Sequence, residues 1–472
     1  MKAAKSRLFA LLSVAVLFHF PIASAVASLP QGTRHPKQAE SWRKQPPKPG
    51  TPRPFMLPAS RETRLENGLT VVLIEDHRSP VVTILVGIPL AKEPSADIAA
   101  LTHQMALAEA TAELVTEGAG SRSSEQVARE VETLGGRLSS SANDDYAEVE
   151  LSVVAENARR MMDLLGDVLL RPAFPESEVA LYKRNRIQTL VVQRQDPAFL
   201  AGEQFDRVVF GTHPYAITSP TPASIDALDR EKIAGYYNSN FGPGGAVAII
   251  VGDFEAESME LKAREVLGGW KQPQKRFANK PAVSPSTRTA ERRVYLIDRP
   301  GSEQADFRIG GLALKRSDPD YFPLGVANSI LGAGTSSRLF LNIRERKGYA
   351  YDVYSSVNAL RLAGTFFAGA ESRTEVTTRA IKEMLAEFDR LREVKVGPIE
   401  LQSAKNYLNG LFSVALSTQG GIAERMVQTY MLDLGPRYLD SYRSRVQAVT
   451  AEEVQQVARK YLLTDRAVIV VV

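Results

Sequence analysis

The chain has 472 residues, 44% of them apolar, enough for two or more domains, and no cysteine, which excludes disulfides, cysteine-held zinc and thiol nucleophiles. The formal charge of +4 arises near the start: three basic residues lie in 1–27 and six, against Glu40 alone, in 28–60, so the body from Arg61 onward holds 49 basic and 53 acidic residues. That mildly acidic body speaks against a nucleic-acid binder.

Residues 1–27 have the form of a secretory signal. Lys2, Lys5 and Arg7 precede an apolar run over 8–22, and Ala23-Ser24-Ala25 or Ala25-Val26-Ala27 offers a cleavage site. A membrane anchor is the alternative, but the run holds His19 and Pro21 and is short for a span. The expected protein is bacterial and periplasmic or secreted, cleaved near Ala25 or Ala27, with no transmembrane anchor left. Residues 28–60 form a proline-rich basic tail with little to bury, expected to be an extended spacer. Contact of this tail with a membrane or a partner stays open.

The first half runs over 61–270. A turn at Leu65-Glu-Asn-Gly-Leu69 precedes predicted strands at 70–75 and 81–86. Asp97 caps a predicted helix through Val115, whose apolar ladder is Ile98, Leu101, Met105, Ala108, Ala112 and Val115. Ser123 opens the next helix, with Gln126 in the capping-box position, and Gly135-Gly136 closes it. A strand at 147–153, helices near 157–170 and 176–194, a break at Asp196-Pro197 and a further helix over 198–210 follow. Asn143-Asp-Asp145 reads as a hairpin end, and His213-Pro-Tyr215 as a structural turn.

An internal repeat lies at a constant offset of 221 between 225–251 and 446–472. Ile225, Leu228, Ile233 and Val247 meet Val446, Val449, Val454 and Val468, while Asp229 and Thr450 coincide as predicted helix caps. Residues 271–293, with Pro273, Pro281 and Pro285, read as a linker, and 294–472 as the second half. Strands, then helices, then a closing strand in each half predict an α+β fold: two homologous halves, each a largely antiparallel sheet with helices on one face.

Within the second half, residues 331–357 read LGAGTSSRLFLNIRERKGYAYDVYSSV. A Gly/Ser/Thr turn leads into an amphipathic segment with Leu339, Ile343 and Phe340 on one face. Gly348 ends it, and the alternation of 349–357 predicts a strand. Arg344 and Tyr351 flank that junction, where a guanidinium and a phenol can both donate to one carbonyl oxygen. On residue types alone the pair also reads as a surface ion pair beside a wet tyrosine.

The SSRLF, Arg344 and G-Y-A-Y pattern, together with the L-x-N-G-L opening, resembles the pitrilysin/insulinase (M16) peptidases over nearly the whole chain after the leader. The resemblance implies a clamshell-like arrangement and assigns Arg344 and Tyr351 to holding the substrate backbone. Active members carry H-x-x-E-H on their first helix, with two zinc-binding histidines and a water-activating glutamate, plus a downstream glutamate ligand. Landmarks Gly118-Ala119, Arg122-Ser123 and Gly135-Gly136 place that motif on Glu109, Ala112 and Glu113. Both histidine positions are glutamate and the catalytic position is alanine. The downstream acids match Gln188-Thr189, and no acid lies between Glu178 and Asp196.

Beyond the leader the histidines are His35, His77, His103 and His213, and no two stand four apart. No catalytic residue and no metal ligand is therefore expected here, and Glu109 and Glu113 read as a solvated like-charged pair. No cofactor is expected in this chain; zinc is expected in a partner. The resemblance is to the non-catalytic, Arg–Tyr-bearing subunit of bacterial two-chain members. It implies a heterodimer with an H-x-x-E-H chain acting on a peptide substrate. The alternative is a structural or peptide-binding protein that uses the same fold without catalysis.

Overall fold

The computed structural model describes residues 57–90, 95–273 and 290–472. The expected signal peptide, residues 28–56 of the tail and most of the linker lie outside the described residues. The first half comprises β1 (Ser60–Arg64), β2 (Thr70–Glu75), β3 (Val81–Pro89), α1 (Ile98–Leu114), α2 (Ser124–Thr133), β4 (Arg137–Ala142), β5 (Tyr146–Val154), α3 (Ala158–Leu170), α4 (Glu176–Gln193), α5 (Pro197–Phe210), α6 (Pro222–Asp226), α7 (Arg230–Asn240), β6 (Val247–Gly252) and α8 (Ala256–Leu267). The second comprises β7 (Arg293–Leu296), β8 (Gln304–Leu312), α9 (Tyr321–Leu331), a π-helix (Phe340–Arg346), β9 (Ala350–Ala359), β10 (Gly364–Arg373), α10 (Thr377–Glu393), α11 (Pro398–Ala415), α12 (Gln419–Met431), α13 (Tyr438–Ala448), α14 (Ala451–Tyr461) and β11 (Val468–Val471). None of the described helices is long and apolar enough to cross a membrane.

The mixed α+β architecture is the expected one. The first sheet has strand order β1-β2-β6-β3-β5-β4 and the second β7-β11-β8-β10-β9. Without the edge strand β1, the two orders correspond strand for strand. In each, one parallel pair (β2 with β6, β7 with β11) joins otherwise antiparallel neighbours. The offset of 221 holds to the residue: α7 maps onto α14 at both ends and Val247 onto Val468. Asp229 accepts from the Lys232 amide and Thr450 from the Glu453 amide, so both expected caps form. The capping box of Ser123 with Gln126 also forms. In the ladder of α1, Ile98 lies at the helix start and is 41% exposed, whereas Leu101, Ala108, Ala112 and Val115 are buried.

Each sheet carries helices of its own half on one face, with one helix from each half traded to the other sheet. Val71, Leu73, Ile84, Val86, Ala248 and Ile250 pack there with residues of α1, α3, α7 and α8. The alternate residues of the same strands, Val72, Ile74, Leu85, Val247 and Ile249, face a helix of the other half: they share a core with Ile422, Ala423, Met426 and Val427 of α12. A Cβ on Gly87 of β3 would come within 2.7 Å of Val427 Cγ1, so glycine is what admits α12 that closely. The exchange is reciprocal. Ala201, Phe205 and Val209 of α5 pack on Val468 and Val470 of β11 in the second sheet. Strands buried on both sides explain why β6 reads VAIIVG without polar alternation.

Candidate functional site

The second half assembles the Arg344–Tyr351 pair from two irregularities. The helical segment after the 332–337 loop is wound as a π-helix, with the Lys347 amide donating to the Asn342 carbonyl five residues back at 3.1 Å. Leu339 and Ile343 are fully buried, as their spacing predicts, and fix the inner face. Tyr351 lies on β9, the edge strand of its sheet. The register with β10 jumps there: Glu371 pairs with Asp352 and Ser372 with Ala350, leaving Tyr351 as the extra residue of a β-bulge. A bulge re-aims a side chain, and Tyr351 is 75% exposed.

The two residues meet as a stack. The Arg344 guanidinium carbon lies 4.7 Å from the ring centroid of Tyr351 and 4.7 Å from that of Phe340. Two rings hold the guanidinium by cation–π attraction, about 0.5–1 kcal/mol per exposed pair. Its ion pair, Nε to Glu345 at 3.7 Å, is long and exposed. The Tyr351 hydroxyl has no hydrogen-bond partner among the described residues. Two donors on one surface with little else to bind suit a carbonyl oxygen.

Buried polar contacts hold the π-helix. The Asn342 amide donates to Glu387 Oε1 at 2.8 Å and Glu383 Oε2 at 3.1 Å, both on α10. Glu387 is buried and takes Arg390 at 2.9 Å, while Lys347 reaches Glu383 at 3.3 Å. The Asn342 hydrogen bond, with Lys347 beside it, holds the Glu383 carboxyl below its ordinary value. Arg338, at the start of the segment, pairs with Glu400 of α11 through two bonds of 2.7 Å.

In the first half, α1 and α4 line a cleft of about 440 Å³ containing Glu109, Glu113, Glu117, Tyr182, Arg186 and Thr189. The reading of Glu109 and Glu113 as a solvated pair holds for Glu113, which is exposed, and is corrected for Glu109. Glu109 is largely buried and accepts from Arg186 Nε at 2.5 Å. Its second oxygen, Oε2, is buried without a hydrogen-bond partner among the described residues. Although Glu113 is exposed, partial desolvation beside the cleft, then the Glu109 charge, raises its carboxyl above the ordinary value. Ala112 points into the core rather than the cleft.

Zinc, which the fold family implies, does not fit this donor set. The cleft offers only carboxylates, of which Glu109 is already engaged by the Arg186 guanidinium, and no imidazole lines it. His103 lies on α1 outside the cleft lining. His213 is buried, its Nδ1 accepting from the Tyr215 amide at 3.2 Å, and it packs on Phe210 and Tyr215, so the H-P-Y turn is structural. His77 pairs with Asp253 at 2.6 Å.

The structure places Arg344 and Tyr351 in contact; Arg186, Asn342 and Glu387 went unmarked in the sequence, where Phe340 reads only as part of an apolar face. Asn143-Asp-Asp145 likewise reads there only as a hairpin end. The turn does join β4 to β5, but Asp145 is buried and accepts from the Tyr215 hydroxyl and, at 2.9 Å, from the Arg361 amide of the second half.

Two family models match the chain: insulinase (peptidase family M16) over residues 107–201 and peptidase M16 inactive domain over 227–408, together more than half its length. An uncharacterized zinc protease of Streptomyces coelicolor is 26% identical over 355 residues, covering 74% of this chain and 76% of that one. Another, from Bacillus subtilis, is 22% identical over 411 residues, covering 85% and 95%. Among solved structures, a peptidase M16 inactive domain from Pseudomonas fluorescens superposes with a TM-score of 0.78 at 24% identity, covering 87% of this chain and 97% of that one. A protease from Helicobacter pylori superposes with a TM-score of 0.78 at 17% identity, covering 88% and 99%. The chain belongs to peptidase family M16, as an inactive-type homologue without the H-x-x-E-H motif.

Proposed function

We propose that this chain is the substrate-holding subunit of an exported two-chain zinc metallopeptidase. The single observation that supports this reading best is an asymmetry. The Arg344–Tyr351 pair is assembled on a π-helix and a bulge, while the position of the metal motif is taken by the Glu109–Arg186 ion pair. The partner supplies the zinc and the H-x-x-E-H motif. This chain's residues bind and orient: Arg344 and Tyr351 donate to a backbone carbonyl oxygen of the peptide, and their hydrogen bonds strengthen as negative charge develops on it. Phe340 helps hold the guanidinium. The leader-like pattern of residues 1–27 supports export, and mass spectrometry of the native N-terminus checks it: an intact Met1 in the membrane fraction would overturn cleavage.

Metal analysis and a quenched-peptide assay test the division of labour. The purified chain alone should hold no stoichiometric zinc and cleave nothing, and should enable cleavage when mixed with an H-x-x-E-H chain encoded beside it. One tightly held zinc per chain with chelator-sensitive cleavage would overturn the reading. Cleavage by the partner that is indifferent to this chain would leave scaffolding or peptide binding as its role.

A further inference from the structure

The exposed side of α11 carries no charge. Its outward residues are Ile399, Gln402, Ser403, Asn406, Tyr407, Gly410, Leu411 and Val414, with Ile399 86% and Val414 70% exposed. The two charged residues of this helix are used elsewhere. Glu400 is held by Arg338, and Lys405 is buried, donating to the Gln447 carbonyl at 2.9 Å. The helix before it, α10, is of similar length and exposes Arg379, Lys382 and Arg390. A solvated helix face normally carries charge, and an apolar one marks an interaction surface.

Two observations say what lies on it. First, α11 is the duplicate of α4: both have 18 residues, and Glu176 corresponds to Pro398. That offset places Tyr407 and Leu411 where Asn185 and Thr189 stand, and those two line the cleft at the altered metal motif. Second, the face continues into the segment that bears Arg344. A Cβ on Gly334 would meet the Tyr407 ring at 3.6 Å, so this ring closes over the loop leading to the π-helix. We infer that the face formed by Tyr407, Leu411 and Val414 is a wall for the peptide substrate and selects uncharged segments rich in aliphatic and aromatic residues. The inference rests on the Arg344–Tyr351 reading and names its substrate class. The charge balance carries the choice of occupant: a charged segment would lose its hydration against this face and find no counter-ion there, whereas apolar side chains gain by burial.

Fluorescence anisotropy on the purified full chain, with no partner chain present, tests this. Two labelled peptides of equal length are compared: one of Leu, Phe, Ala, Ser and Asn, the other with Asp and Lys interspersed at regular positions. The uncharged peptide should bind about tenfold tighter, equivalent to about 1.4 kcal/mol. Leu411→Glu combined with Val414→Glu should remove that preference, with circular dichroism unchanged because both side chains face solvent. Equal affinity for the two peptides, or a preference that survives the double variant, overturns the inference. So does dimerisation of the wild type in sedimentation that the double variant abolishes, since a second copy would then be the occupant. Tyr351→Phe and Arg344→Ala run alongside separate the two readings. If they weaken both peptides while the α11 variant is silent, the wall fails and the Arg344–Tyr351 site stands. If they are silent while the α11 variant loses the preference, the site fails and the wall stands.

Discussion

Glu109 of α1 and Arg186 of α4 are joined at 2.5 Å across the first-half cleft, both largely withdrawn from solvent. The guanidinium stands among three further acids, Glu113, Glu117 and Glu178, that line the same cleft. A fixed organic cation thus balances carboxylates on the helix where the resemblance would put the zinc motif.

Arg186→Gln should therefore destabilise the fold, since removing one member of a buried pair leaves its partner uncompensated. The pair is not wholly buried, so the lower part of the usual range applies, about 3 kcal/mol. The loss should depend on pH. A carboxyl raised in the folded state stabilises the fold below its unfolded value and loses that contribution as pH rises through the raised value. Glu113 behaves this way, and Arg186 partly counters its rise. The variant should consequently lose stability over a wider span above the ordinary glutamate range and recover at acid pH. Urea denaturation at acid and neutral pH reads this directly, and equal losses at both would contradict it.

Tyr351→Phe and Arg344→Ala should each impair cleavage by a reconstituted pair of chains. Removing one donor to a developing oxyanion typically costs ~2.7–4 kcal/mol, about a hundred- to a thousandfold in rate. A loss confined to KM would instead identify a grip on the ground state. Tyr351 is largely exposed, so its thermal midpoint should stay at the wild-type value. Full activity of both variants in a complex that needs this chain would refute substrate holding.

Phe340→Leu removes one of the two rings against Arg344 while retaining an apolar side chain. The expected cost is that of one cation–π contact, about 0.5–1 kcal/mol or roughly two- to fivefold. It should fall on KM and be restored by Phe340→Trp. A stability loss with KM unchanged would make Phe340 a packing residue only.

Asp145→Ala cuts two hydrogen bonds to one buried carboxylate, from the Tyr215 hydroxyl and from the Arg361 amide. Bonds to a charged acceptor contribute about 1.5–3 kcal/mol each, so the variant should unfold at clearly lower urea. A midpoint equal to the wild type would show that this joint carries no stability.

Much of this was legible in the linear order. The caps at Asp229 and Thr450 showed themselves because short polar side chains before an apolar period have few other uses. The offset of 221 announced the duplication, and the spacing of Arg344 and Tyr351 around Gly348 announced their convergence. Arg186 escaped because it lies 77 residues from Glu109, and nothing local marks a cation as the mate of a distant acid. The bulge at Tyr351 escaped because register is a property of two strands. The destination of α5 and α12 escaped for a related reason. Amphipathicity says that a helix buries one face, not which sheet receives it.

The reciprocal trade of α5 and α12 bears on ancestry and on folding order. A trade of this kind is what a swapped homodimer of one ancestral half would leave once two copies were joined end to end. It also ties each half's completion to the other. Helix α5 docks on β11, whose residues come more than 250 positions later in the chain. Such distant pairing must wait for the intervening chain to close, which slows folding. A ribosome-bound first half would carry a sheet with one apolar face bare, and a fragment cut at the linker should aggregate unless its sister fragment is supplied with it.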